Sequence, residues 1–365
     1  MNTEAIVDAL HRGKAVREQY DSLHYIRLLD PAGGHPRGTV VLPDGVVVSG
    51  YPSIGRVQSL TSGLQRHFPG AFWAEEKIDG FNVRILRHRE TVYAFSRGGF
   101  VCPFSTDRVP DLLDLGVFDA EPDLILCAEI AGPDNPYLEA CPPQVNRDVA
   151  LFVFDLMRQG QADFLPQAEK MAMLARYDLP ATRIFGRYQA ADAASLGRLI
   201  LRLDRELCEG LVFKEETGSG RAKYVTGRSN VADIGLCSDQ LLDLPPEYFT
   251  NRLLRLALFA SEHGQAGDAE LQRDLGHAFL HGLQRAIERS RGIGRVGVEF
   301  RCRFRQRHNA TRFIRHIKAT GGSRIRIGDG MPRREGEYWL LEFERVLDRM
   351  TGTLATALSG DSQFD

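Results

Sequence analysis

None of the six cysteines, at Cys102, Cys127, Cys141, Cys208, Cys237 and Cys302, stands in C-x-x-C spacing, which argues against a zinc site. Six thiols are too few to staple a chain of 365 residues, so a disulfide scaffold is excluded and a reducing, cytoplasmic setting is expected. No apolar run approaches the roughly 20 residues of a membrane span. The opening MNTEAIVDALHRGKAVREQ lacks the apolar region of a signal peptide. There is no G-x-x-x-x-G-K-S/T phosphate loop. Net charge is also nearly absent: the formal value is -2, so the chain as a whole is not a basic nucleic-acid binder. Asn309-Ala310-Thr311 fits the glycosylation pattern but carries no meaning in such a compartment.

The length allows two or more domains and a sizeable core. Residues 1 to about 63 are mixed, with a hairpin expected in GTVVLPDGVVVSGYPSI around Pro43-Asp44-Gly45. From 64 to 237 short strands recur: FNVRILRH, TVYAFS, DLILCAEI, LFVFDL and GLVFK. Helical stretches QAEKMAMLARY and AASLGRLILRLDREL separate the last two. Clustered strands and helices indicate an α+β fold rather than a doubly wound one. From 238 to 298 the period becomes helical in PPEYFTNRLLRLALFASEHG and DAELQRDLGHAFLHGLQRAIERS. Two such helices pack in a core or on a partner subunit.

The region 299–365 turns basic. In EFRCRFRQR, Arg301, Arg303, Arg305 and Arg307 alternate with Cys302, Phe304 and Gln306, which in a strand places all four arginines on one face. Residues 301–334 hold eleven Lys and Arg against one acid, Asp329. Phosphates would relieve that repulsion, so nucleic acid is the favoured partner; acidic partners elsewhere in the fold are the alternative. YWLLEFERVLDRMTGTLATALSG reads as a closing helix. Gly292-Ile293-Gly294-Arg295-Val296-Gly297 fits G-x-G-x-x-G but follows a helix and precedes a strand, the reverse of the dinucleotide fingerprint.

WAEEKIDGFNVRI, from Trp73, sets Lys77 and Asp79 before a glycine at the end of an apolar run. Period two would put Glu75, Lys77 and Asp79 on one side. A lysine amine is nucleophilic only when unprotonated, well below its usual pKa of about 10.4, and a divalent metal or nearby cations would lower it. Attack on an α-phosphate would give a phosphoramidate and release pyrophosphate. Such a site also needs a stacking ring, sugar contacts, metal carboxylates and cations for phosphates. Candidates follow in order. SRGG carries Arg97 beside two glycines that would let backbone approach a ligand. CAEIAGPDNPY carries Glu129, costly in an apolar strand unless paired. FVFDL carries Phe152 and Phe154. CEGLVFK carries Glu209 and Lys214. SGRAKYVT carries Arg221 and Lys223 on one strand face. Taken singly each also reads as core, cap or solvated surface; their conjunction is harder to dismiss.

The ordered set EEKIDGFNVR, SRGGF, AEIAGPDNPY, FVFDL, EGLVFK and KYVT, followed by an NRLLRLALF helix, closely resembles the archaeal-type homodimeric ATP-dependent RNA ligases, members of the covalent nucleotidyltransferases that include DNA ligases and capping enzymes. The resemblance implies a nucleotidyltransferase domain (64–237), a small β-rich N-terminal module (1–63), a helical dimerisation domain (238–298) and a small basic C-terminal domain (299–365). It implies that Lys77 takes AMP from ATP, passes it to an RNA 5′-phosphate, and that a 3′-hydroxyl then displaces AMP and seals the strand, in some members circularising it. Glu129 would contact ribose, and Phe154 would stack on adenine in preference to Phe152. Arg84 and Arg97 would hold sugar or phosphate, and Glu209 would help bind Mg2+ or Mn2+. Lys214 and Lys223 would neutralise the α-phosphate and pyrophosphate, Asp79 would orient the lysine loop or the metal, and Glu75 would lie near the base. Arg301, Arg303, Arg305 and Arg307 would meet RNA. Many relatives carry a lysine where this chain has Arg221, whose role stays open. The rivals are another covalent nucleotidyltransferase, a DNA ligase or GTP-using capping enzyme, which usually carries an OB barrel after the KYVT region, and a catalytically inert dimeric RNA-binding module, expected to have lost Lys77, Glu129 or Glu209.

Overall fold

The computed structural model describes residues 3–216 and 220–361. The outermost residues of the first and last expected regions lie outside that range. The chain opens with α1 (Thr3–His11) and an antiparallel sheet of β1 (Ala15–Tyr20), β2 (Leu23–Leu28), β3 (Val40–Val41) and β4 (Val47–Val48). The expected hairpin is β3–β4, which turns through Gly45 at φ +83°, a value open to glycine at no steric cost.

The chain continues through β5 (Gly55–Arg56), α2 (Leu60–His67), β6 (Phe72–Lys77), β7 (Phe81–His88), β8 (Thr91–Ser96), α3 (Pro103–Leu112) and α4 (Val117–Ala120). Then come β9 (Leu124–Ala131), β10 (Ala150–Arg158), α5 (Gln167–Arg176), β11 (Ile184–Tyr188), α6 (Ala193–Arg205), β12 (Gly210–Glu215) and β13 (Arg221–Val225). Two sheets result, ordered β11-β6-β12-β13-β5 and β10-β9-β7-β8.

Strand parity decides which side chains face the space between these sheets. Phe72 and Ala74 of β6, Leu211 and Phe213 of β12, and Ala222 and Tyr224 of β13 pack against α2 and α6. Their neighbours Glu75, Lys77, Val212, Lys214 and Lys223 therefore line the opposite side. On β9, Leu124, Leu126, Ala128 and Ile130 enter the largest core, while Ile125, Cys127 and Glu129 share the other face. The glycine of the lysine motif, Gly80, is required by close approach: a Cβ there would meet Ile130 O at 2.9 Å.

After Val225 come α7 (Gly227–Cys237), α8 (Glu247–Glu262) and α9 (Ala269–Ile293). The last two meet over α7, where Ile234, Phe249 and Ala278 form a small core. The C-terminal region holds β14 (Gly297–Phe304), α10 (Arg307–Gly321), β15 (Ile325–Ile327), β16 (Arg333–Glu335), β17 (Tyr338–Val346) and α11 (Asp348–Ser359). The expected closing helix is thus half strand. Tyr338–Val346 pairs with β14 and β15 at the centre of a sheet, and its Leu341 and Phe343 enter the largest core together with Val298, Phe300 and Phe304. Aromatic and branched residues favour that pleated, buried setting.

Two buried polar assemblies knit these layers. Arg84 shares the face of β7 that carries Leu86 into the N-terminal module, and its guanidinium is fully buried. It donates to Ser49 O at 2.5 Å, Gly38 O at 2.7 Å and Ser96 O at 3.1 Å. Beneath the space between the sheets, Glu75, Asp155, Lys170, Lys214 and Arg221 are all buried. Glu75 receives Lys170, Gln167 Nε2 at 2.5 Å and Lys214 Nζ at 2.8 Å. Asp155 receives Arg221 Nη2 at 2.9 Å and Tyr51 OH at 3.1 Å, with Lys214 Nζ 3.4 Å away. Lys170 and Lys214 both donate to Phe154 O.

Arg84→Met should lower unfolding free energy by about 3 kcal/mol or more in urea, because it strands several buried carbonyls at once. Burial alone would raise the Asp155 carboxyl, but Lys214 and Arg221 outweigh it and hold it well below the usual range. Its contribution to stability is therefore complete above the unfolded value of about 4 and is lost as pH falls below it. Urea midpoints between pH 7 and 3 should fall steeply at the acid end for the natural chain. Asp155→Asn should be less stable at pH 7 by roughly 3–5 kcal/mol, with a shallower acid limb.

Candidate active site

Between the two sheets lies a cleft of about 370 Å3, of a size to take a small molecule. Lys77, the last residue of β6, reaches it from the C-terminal end of that strand, and its Nζ stands 2.5 Å from Glu209 Oε2. The register makes this pairing: Lys77 lies opposite Gly210, so Glu209 just ahead of β12 is carried to it. Burial works to lower the Lys77 amine, but the carboxylates of Glu209, Asp79 and Glu129 outweigh it and hold the proton more tightly than usual.

Glu129 enters from β9 and is half-buried. Asn82 Nδ2 donates to its Oε1 at 3.3 Å, and its Oε2 has no partner. Burial lifts its carboxyl to about 8, against the pull of Lys77. Phe154 forms a wall, edge-on to Tyr51 with ring centroids 5.3 Å apart. It also lies beneath Lys214 Nζ, 5.5 Å from the ring centre. Lys214 and Lys223 line the same cleft. Burial, then Arg56 and Lys77, bring the Lys223 amine down to about 8. Arg97 stands exposed at the mouth, within 3.4 Å of Ser53 Oγ.

A second hollow of about 260 Å3 shares Glu76 and Lys77 with the cleft and adds Asp79, Glu209 and Asp233. Asp79 sits here, because β6 ends at Lys77 and the period-two alternation stops with it. Burial and then Glu209 raise the Asp79 carboxyl to about 7, and burial likewise raises Asp233. Crowded carboxylates of this kind are a donor set for a hard divalent cation. Among the described residues no group of three or more His, Cys, Asp or Glu side chains is preformed as a metal cage, so a cation here would complete its shell with phosphate oxygens and water, as magnesium commonly does.

Several expectations are corrected. Arg84 faces the N-terminal module rather than the cleft and is spent on backbone carbonyls, so it holds neither sugar nor phosphate. Gly99 serves packing rather than a ligand: a Cβ there would meet Gly38 O at 2.6 Å. Glu75 does line the cleft, but its carboxylate is consumed by Lys170, Gln167 and Lys214, which makes it a brace for Lys214. Arg221 lies in the same buried network, its guanidinium 3.8 Å over the Phe164 ring. Phe152 stands opposite Glu129 in the β10–β9 register and does not border the cleft. The arginine row is broken as well: β14 ends at Phe304, and Arg307 begins α10. Arg301 pairs with Glu335 at 3.0 Å, Arg303 with Glu335 and Asp134, and Arg305 with Asp111 at 2.6 Å. Arg307 lies over the Trp339 ring. Acids from distant segments thus neutralise the strand face. Sequence reading missed Lys170, which the helical period of QAEKMAMLARY hides, and Asp155, whose signal was an acid inside the apolar FVFDL.

An RNA ligase family model matches residues 70–225, and a model described as the Ligase Pab1020 C-terminal region matches residues 238–361. A putative ATP-dependent DNA ligase from Aquifex aeolicus is 42% identical, with all of both chains covered and a TM-score of 0.94. An archaeal ATP-dependent RNA ligase is 28% identical over 98% of this chain and 96% of its own, with a TM-score of 0.88. An uncharacterized protein of Methanocaldococcus jannaschii is 27% identical over 311 residues, 82% of this chain and 79% of that protein. With both family models matched in order and the fold shared from end to end, the chain belongs to the archaeal-type ATP-dependent RNA ligase family of the nucleotidyltransferase superfamily, and it is a ligase.

Proposed function

We propose that this ligase uses ATP to charge Lys77 with AMP, transfers the AMP to the 5′-phosphate of an RNA strand, and seals that end to a 3′-hydroxyl, including ends of one molecule to give a circle. The observation that carries the reading is Lys77 Nζ at 2.5 Å from Glu209, in a cleft that also holds Glu129, Phe154, Lys214, Lys223 and Arg97. In the first step the Nζ–Pα bond forms and the bond from Pα to the bridging oxygen breaks, its electron pair leaving with pyrophosphate. The amine proton has an acceptor in Glu209. Phe154 offers its face to adenine. The free Oε2 of Glu129 takes a ribose hydroxyl. Lys214 and Lys223 face the charge that develops on the phosphates. Glu209, with Asp79 and Asp233 beside it, would hold Mg2+ or Mn2+; a bound cation would offset the carboxylates that keep the Lys77 proton in place.

After Val225 the chain forms α7, α8 and α9, where the rival DNA ligases and capping enzymes usually carry a barrel, and this favours the RNA ligase reading. Leu254 and Leu280, 58% and 61% exposed on α8 and α9, support a homodimer through the helical region. Six free thiols support a cytoplasmic setting.

Incubation with magnesium and α-labelled ATP should leave label on the denatured chain. Lys77→Ala should fold normally and take none, and 5′-phosphate RNA should discharge it. Label from GTP instead would favour capping, discharge by DNA alone would favour a DNA ligase, and no label from either nucleotide would sink the reading. Phe154→Leu should raise the KM for ATP roughly tenfold with little change in maximal charging rate, as expected for loss of about 1–3 kcal/mol of base stacking.

A further inference from the structure

The neutralised β14 face leaves open where an RNA strand lies, and the described residues frame another basic channel. The cleft that holds Lys77 opens past Tyr51 and Arg97 into a shallow cavity that both residues also line. That cavity shares Arg37 and Gly98 with a larger groove of about 860 Å3. The groove runs between the N-terminal sheet, the 97–100 turn and the C-terminal sheet. The three spaces therefore adjoin in series outwards from the Lys77 cleft, each sharing two wall residues with the next.

Charge in the groove is of one usable sign. Its walls carry Arg27, Arg37, Arg324 and Arg345 against Glu18 and Asp243. Both acids are already engaged. Glu18 pairs with Arg27 at 2.8 Å, and Asp243 accepts the backbone N–H groups of Arg349 and Met350 at the start of α11. Arg37 is exposed, and neither Arg37 nor Arg345 has an ion-pair partner among the described residues. Rings accompany the cations: Phe100 and His316 stand 4.8 Å apart at 32°, and Arg345 lies over Phe300. Unpaired arginines beside ring faces are the combination that tracks a single-stranded nucleic acid. On that basis we infer that a single RNA strand runs from the Lys77 cleft past Arg97 and Arg37 into this groove, its phosphates on Arg37 and Arg345 and its bases against Phe100 and His316. The inference rests on the RNA ligase reading above.

The test uses the full chain, pre-adenylylated RNA and an acceptor RNA, so that sealing is read apart from the reaction with ATP. Arg37→Gln and the double variant Arg37→Gln/Arg345→Gln should take label from ATP at Lys77 as the natural chain does, which also shows that they are folded. Sealing of strands of about 20 nucleotides, longer than a typical single-strand site of about 4–16, should show KM raised about tenfold in the double variant with kcat little changed. The slope of log affinity against log salt should shrink by about 1.4, from ~0.7 per lost phosphate contact. Shortening the donor or the acceptor in turn to about three nucleotides should abolish the difference for whichever strand occupies the groove. Arg301→Gln on β14 should leave RNA affinity unchanged. Unaltered KM and salt slope in the double variant, or an affinity loss confined to Arg301→Gln, overturns the inference. Absence of labelling and sealing in the natural chain overturns instead the reading on which it rests.

Discussion

Five charged groups buried beneath the cleft hold this molecule's working parts in place. Among the described residues Lys170, Lys214 and Arg221 face Glu75 and Asp155, three cations against two carboxylates. Such burial is unfavourable unless each charge is paired and hydrogen-bonded, and the network achieves this by drawing on four strands and one helix. Its consequence is positional. Lys214 is fixed at the cleft wall, and Phe154, whose carbonyl receives both lysines, is fixed beside it. The cation excess also gives the site a standing attraction for an anion, and burial together with Lys214 brings the Lys170 amine down to about 8.

The opposite bias prevails at Lys77, the proposed nucleophile. Lys77 is surrounded by Glu209, Asp79 and Glu129, and two of these carboxyls are themselves pushed up towards neutrality. One end of the cleft thus prefers negative ligands and the other prefers cations. A nucleotide triphosphate with its divalent ion satisfies both ends at once, whereas either alone leaves one end unbalanced. In the proposed mechanism this polarity keeps the Lys77 amine protonated until nucleotide and cation are bound.

The arginine-rich C-terminal strand shows how tertiary structure can cancel a sequence signal. Alternation along Arg301 and Arg303 is real, but Asp134, Asp111 and Glu335 arrive from other segments and pair with the row. In the groove between the first and last regions the reverse holds. Arginines scattered over three hundred residues converge there, while the acids among them are already spent on other partners.

The one-dimensional pattern determined the fold class, most strands and both long helices, because the periods of two and 3.6 are local properties. It also determined the chemical identities at the cleft, since Lys77, Glu129, Phe154, Glu209, Lys214 and Lys223 are brought together from the motifs that announced them. Tertiary structure alone decided which charges are free to act. Arg84 is buried under the N-terminal module because its strand parity matches Leu86. Glu75 is consumed by a lysine from a helix almost a hundred residues away, and Asp79 falls into the neighbouring hollow because β6 stops at Lys77. It decided too that Tyr338–Val346 is a strand, since β14 and β15 supply the hydrogen bonds that a helix would otherwise make for itself. Sequence specifies which groups a chain carries; their partners, and so their availability, depend on contacts between residues far apart in the chain.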